Sequence, residues 1–136
     1  MAQRPDFDSY EAFFPYYVAM HSKPATRRVH FAGTMLGLAL ALFGLITRRP
    51  KMIVALPACG YGSAWPAHWF IEKNNPASFG YPLWSLRGDF EMISYMLRGR
   101  DAELSEIAQN YLRAHAGQPS AVEPSDDAPA GRHAAA

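Results

Sequence analysis

Four side chains of metal-ligand type flank the apolar middle of the chain: His21, His30, His68 and Glu72. Two or three imidazoles with a carboxylate form a donor set suited to non-haem Fe(II), with zinc or manganese as substitutes. Glu72 follows His68 by four positions, so on a regular helix the two side chains project from one face. Spacing of that kind arises by chance often, and a lone histidine at an interface is usually a hydrogen-bonded tip. The chemistry therefore depends on whether the folded chain gathers the four groups.

The elements that must position them are readable from hydropathy and punctuation. Asp8 and Glu11 form a capping-box-like start, and a first helix runs from there toward His21, with a kink or a later start at Pro15. Its aromatic residues Phe13, Phe14, Tyr16 and Tyr17 suit a membrane interface and a protein core equally. "SKPATRR" is a turn in which Thr26 can cap the next helix. Val29 to Thr47 then runs nineteen residues without a formal charge, between Arg27 and Arg28 on one side and Arg48 and Arg49 on the other. As a helix it reaches about 28 Å, close to the hydrocarbon thickness of a bilayer. Gly33 and Gly37 make a GxxxG pair that permits close helix approach.

Met52 to Ile71 is a second uncharged stretch, interrupted by Pro57, Gly60, Gly62 and Pro66. It reads as a broken helix packed against the first, because freed backbone groups in a membrane need protein or water partners. Residues from about 83 to 98 alternate as an interfacial amphipathic helix, and those from Asp101, as a cap, to a stop at Gly117 read as a further amphipathic helix. The fold class expected is all-α: a membrane helical hairpin with a broken second helix, plus interfacial and amphipathic helices. Residues 1–116 form one helical membrane domain, and 117–136, rich in Pro, Ala, Ser and Asp, form a disordered tail in which His133 has no function.

A hairpin of this kind brings residues near 28–31 and near 68–72 to the same end. His21, His30, His68 and Glu72 then converge at one membrane face, while the opposite turn offers only Arg48, Arg49 and Lys51. Arg27, Arg28, Lys73 and Arg87 fall at the ligand-bearing end, where they can steer a carboxylate or anchor to headgroup phosphates. Tyr61, Trp65 and Trp69 line the pocket or the interface. Asp89 reads as a solvated or arginine-paired carboxylate, with support of a ligand histidine as the lesser role. Lys23, Arg27, Arg28 and Lys73 weakly favour a cytoplasmic position for that end.

Composition excludes several classes. Thirteen basic against twelve acidic residues give no broad field for nucleic acid. The single cysteine, Cys59, can form no intrachain disulfide and reads as a small buried apolar residue. No apolar segment opens the chain as a secretory signal would. Gly60 and Gly62 are a bare GxG without a dinucleotide fingerprint. Five scattered histidines cannot supply the clusters of a di-iron membrane hydroxylase. Haem held by paired histidines stays open.

The stretches "FFPYYVAMHSKPATRRVHFAGTMLG" and "GYGSAWPAHWFIEKNNPASFGYPLWSLRGDFEM" resemble a family of small membrane proteins that includes the yeast 2-hydroxy fatty acid dioxygenase of phytosphingosine degradation. The "AHWFIEKNNPASF" segment is the most specific part. The resemblance spans residues 13 to 97 and leaves out the last helix and the tail. It implies Fe(2+)-dependent cleavage of a long-chain 2-hydroxy fatty acid by O2 into the one-carbon-shorter acid and CO2, a fatty acid α-oxidation, at a lipid bilayer. It also implies that His21, His30 and His68 are iron ligands, and Glu72 joins them on geometry as much as on family pattern. The reaction balances without an external reductant, because R-CHOH-COOH gives up four electrons, as full reduction of O2 requires. The expected location is an integral membrane one: the inner membrane of a bacterium or the endoplasmic reticulum of a eukaryote. The competing expectation is a non-enzymatic integral membrane protein with a structural or interaction role.

Overall fold

The computed structural model describes residues 5–116. Among these, five α-helices occur and no strand: α1 Tyr10–Ala19, α2 Pro24–Ile46, α3 Ala55–Ala67, α4 Pro82–Leu97 and α5 Asp101–Ala114. The expected tail, with Gly117 and His133, lies outside the described residues.

The short aromatic helix α1 is the centre of the molecule. Its cap is Ser9, one residue later than the expected Asp8, and the Ser9 hydroxyl accepts from the Ala12 amide at 3.3 Å. The helix continues through Pro15, which forfeits one ladder bond. Phe13, Tyr17, Val18 and Ala19 are buried almost completely, and α4 and α5 pack over them with Met92, Leu104 and Ala108. The aromatic density therefore serves a core. Gly88 of α4 makes one of these contacts possible, since a Cβ there would lie 3.0 Å from the Tyr17 ring.

Helix α2 starts five residues before the uncharged stretch, because Pro24 supplies a preset φ for the first turn. Thr26 consequently sits inside that turn rather than capping it. The buried positions of α2 are Thr26, Arg27, His30, Gly33, Thr34, Gly37, Ala41 and Gly44. They recur at three and four residues, so they form one face, and below His30 that face is made of small residues. Leu36, Leu42, Phe43, Leu45 and Ile46 point the other way, each more than half exposed. This distribution is the reverse of a water-soluble amphipathic helix, which buries its large apolar side chains. It matches helices that pack through small residues and give their large ones to lipid. By length and composition α2 can cross a membrane.

Helix α3 runs antiparallel along this small-residue face. A Cβ at Gly33 would fall 2.8 Å from the Cys59 carbonyl oxygen, one at Gly37 2.8 Å from the Ala55 carbonyl, and one at Gly44 2.4 Å from Met52. The GxxxG pair thus places the two backbones against each other. After Pro66 the helix widens into a π-helical turn, His68–Glu72, a feature that tends to appear at functional positions. Lys73 then turns left-handed at φ 66°, and the Asn74 amide donates back to the His68 carbonyl at 3.0 Å. That closure ends the helix and turns Asn74 beneath His68.

Candidate metal centre

Each of three segments delivers one imidazole to a common point. His21 lies in the turn between α1 and α2, His30 on the buried face of α2, and His68 at the start of the π turn. Their relative exposures are 1%, 4% and 2%, so all three are shut off from solvent. The ring centroids of His21 lie 4.4 Å from His30 and 4.5 Å from His68, and those of His30 and His68 are 5.3 Å apart. One ligand atom from each falls within 4.8 Å of the other two.

The hydrogen bonds fix which nitrogen faces the centre. His21 Nδ1 lies 2.6 Å from the Tyr17 carbonyl, His30 Nδ1 3.1 Å from an Asp89 carboxylate oxygen, and His68 Nδ1 2.8 Å from the Asn74 side-chain oxygen. The carbonyl and the carboxylate can only accept, so the first two Nδ1 atoms carry the proton. The Asn74 oxygen is assigned as an acceptor because its amide nitrogen donates to the Met20 carbonyl at 3.0 Å. In all three rings Nε2 is therefore the nitrogen left over for a further partner. For His21 and His30 that Nε2 is buried and has no hydrogen-bond partner. A buried polar atom without a partner costs about 1–3 kcal/mol, and imidazoles whose Nδ1 positions are held by acceptors, as all three are here, make the usual setting of metal-binding histidines. Burial, reinforced by the neighbouring His30 and His68, pushes the His21 pKa well below the ordinary imidazole value, which keeps it neutral and able to ligate. The residues present fit a transition-metal ion held by nitrogen.

The supporting groups are themselves held. The Tyr17 hydroxyl donates to the same Asp89 oxygen that faces His30, while the Tyr17 carbonyl holds His21. One aromatic residue thereby ties two of the three imidazoles together. Burial and the Asp89 charge raise the Tyr17 pKa, so its hydroxyl stays protonated and donating. Beside the triad lies a small cavity walled by Tyr61, Ala64, Trp65, Ala77 and Ser85. The Ser85 hydroxyl is buried there without a hydrogen-bond partner.

Two sets of expected site residues are placed elsewhere. Glu72 does not join the histidines. Its carboxylate accepts from the Ser22 and Thr26 hydroxyls at 2.5 Å each and from the Lys23 amide at 3.2 Å. Lys23, the N-cap residue of α2, has no side-chain cap of its own, and a carboxylate from another segment satisfies that positive helix end. Among the carboxylates of the described residues, Asp89 is the one that reaches the triad. The four cations expected to meet a substrate carboxylate do not line the cavity either. Arg27 is fully buried, with bonds to both Asp101 oxygens at 2.7 and 2.9 Å, to Ser105, and to the His21 and Ser22 carbonyls. It clamps α5 to the α1–α2 turn. Arg28 and Lys73 are exposed, and the Arg87 guanidinium stacks 3.7 Å over the Tyr10 ring. Tyr61 and Trp65 line the cavity, and Trp69 lies exposed on the surface.

Over residues 7–101 the chain matches the family described as 2-hydroxy-palmitic acid dioxygenase Mpo1-like. The chain belongs to the Mpo1-like family. No curated protein and no solved structure matches it significantly. The Mpo1-like region contains the three histidines, their supports Tyr17, Asn74 and Asp89, and the orphan Ser85, and it ends at Asp101, the partner of Arg27. The family description suggests a function related to 2-hydroxy fatty acid oxygenation, and three buried histidines able to hold a metal ion accord with it.

Proposed function

We propose that this chain is a membrane-embedded, Fe(II)-dependent dioxygenase that cleaves a long-chain 2-hydroxy fatty acid to CO2 and the fatty acid one carbon shorter. The observation that carries the reading is the triad itself: three buried imidazoles whose Nδ1 atoms are all engaged and whose ligand atoms gather within 4.8 Å of one another. His21, His30 and His68 would hold the ion. Bound there, Fe(II) supplies the one-electron chemistry that allows O2 to react with an organic substrate, and three protein ligands leave positions open for that substrate.

The remaining tasks fall to the chain. Tyr17, Asp89 and Asn74 fix the imidazole orientations, so the donor set is preorganised before any ion or substrate arrives. The apolar walls at Ala64, Trp65 and Ala77 restrict water, and the Ser85 hydroxyl offers an unspent donor to the substrate's carboxylate or 2-hydroxyl. In the reaction the C1–C2 bond breaks, C1 leaves as CO2 and C2 becomes the new carboxyl carbon. The substrate's four electrons reduce O2, with one water formed. The outward apolar face of α2, together with exposed Ile53, Val54, Phe70 and Leu83, supports placement in lipid, where such a substrate resides.

The test is anaerobic reconstitution of the purified protein with Fe(II), followed by a 2-hydroxy fatty acid and O2. Release of CO2 with the shortened acid, lost in His21→Ala, His30→Ala and His68→Ala, is the expected result. Protein that holds iron but yields neither product would refute the enzymatic reading and leave the structural or interaction role.

A further inference from the structure

Beyond the triad cavity, an apolar groove of about 260 Å³ lies between α2, α3 and α4. Leu56 and Pro57 form one wall, Leu86 and Phe90 the other, and Gly60 lies between them on the α3 side. Tyr61 and Asp89 belong to this groove and also to the cavity beside the histidines. The two spaces therefore adjoin, and they differ in character: one end has imidazoles, a carboxylate and the Ser85 hydroxyl, and the other is apolar.

We infer that this groove takes the acyl chain of the fatty acid, with its carboxyl end at the triad, and that Gly60 sets how much of the chain is enclosed. The inference rests on the proposed function for the identity of the head group. The polarity sequence is that of an amphiphile with a short polar end and a long apolar tail, and among the described residues no charged side chain lines the groove beyond Asp89. At about 260 Å³ the groove has room for several methylenes of such a chain. Leu86 and Phe90 are partly exposed at its rim, so the rest of a longer chain can continue into lipid. Lipid solvates methylenes as well as a groove does, hence selection among substrates comes from shape.

Gly60 provides a clean test. A Cβ there would meet only the Thr34 hydroxyl, at 3.9 Å, and one at Gly62 would meet nothing within 4 Å. Gly60→Leu therefore fills the groove without striking backbone, and Gly62→Leu, on an exposed position outside the groove, is its control. The full chain, without metal and in lipid nanodiscs, is photolabelled with a 16-carbon 2-hydroxy fatty acid bearing a diazirine at mid-chain, and the labelled residues are mapped. Label at Leu56, Pro57, Leu86 or Phe90 is expected. Gly60→Leu should lower it about tenfold, on the scale of overpacking a filled space by one side chain, and Gly62→Leu should leave it unchanged. Leu86→Trp, which narrows the groove from its exposed rim, should act as Gly60→Leu does if that variant fails to fold. Label spread evenly over Leu42 and Ile46, or unaffected by both groove variants, would overturn the inference. Because no turnover is needed, specific labelling in a protein that releases no CO2 would keep the groove and reject the dioxygenase.

Discussion

Replacing His30 with leucine separates a metal site from a buried hydrogen-bond cluster. Leucine is close in size to imidazole, so the exchange is mainly a change of polarity. It removes a buried Nε2 that has no partner, a gain of about 1–3 kcal/mol. It also removes the Nδ1 bond to Asp89, and a hydrogen bond to a charged group is worth about 1.5–3 kcal/mol. Asp89 keeps the Tyr17 hydroxyl as a partner. The two changes cancel to within about 2 kcal/mol, and for a domain of this size each 1 kcal/mol moves the melting temperature by about 2–8 °C. With Fe(II) at a hundred times its dissociation constant, the unaltered protein gains about 2.7 kcal/mol. The variant, left with two imidazoles, gains little of this. Anaerobic thermal unfolding in one detergent, followed by tryptophan fluorescence with chelator and then with Fe(II), should therefore show similar curves without metal and well-separated curves with it. An unaltered protein that ignores the metal, or a variant that responds to it equally, refutes the metal assignment. A metal-free variant that loses several kcal/mol shows instead that His30 is a structural hydrogen-bonding group.

Ser85→Ala should leave stability unchanged or raise it, since a buried hydroxyl without a partner is removed. It should also weaken substrate use by about ten- to a hundredfold, the equivalent of a hydrogen bond to a charged group, as read from melting temperature and kcat/KM measured side by side. A fall in stability with unchanged kinetics would assign the hydroxyl to packing. Asp101 is held below the usual carboxylate range by its bonds to Arg27, so its contribution is full above the unfolded pKa of about 3.9 and is lost as pH falls through the lower folded value. Hydrogen exchange of α5 should accelerate as pH falls through that window, after correction for the intrinsic rate. Asp101→Asn should show the faster exchange at neutral pH too, and an α5 indifferent to both changes would refute the clamp.

Much of the helical layout could be read because it depends on local signals. Uncharged length, the helix disturbance after Pro66 and the apolar spacing of 83–98 act within one segment, and the all-α class and the long apolar helix follow from them, whereas α3 runs unbroken through the expected interruptions at Pro57, Gly60 and Gly62. Convergence of His21, His30 and His68 was legible from the same reasoning, since a returning helix must bring its far end level with the start of the first. What spacing along a helix cannot show is which partner a polar group meets. The expectation for Glu72 used its distance from His68, but the α2 N-terminus has a lysine at its cap and needs an acceptor, and Glu72 supplies one from another segment. Arg27 was legible as a cation near the site, not as one facing inward on the buried stripe with Thr26 and His30.

Asn74 carried a signal that the helix reading passed over. A residue just beyond a left-handed helix end folds back on the last turn, so in "HWFIEKNNP" an asparagine side chain is delivered under the histidine that opens that turn. Asp89 and Tyr17 had no such signal, because they meet across 72 residues of sequence and only Gly88, by leaving room for the Tyr17 ring, lets α4 come close enough. The ligands sit on the elements with the strongest local patterns. Their supports sit where those elements touch, and it is the supports that decide which nitrogen each histidine presents.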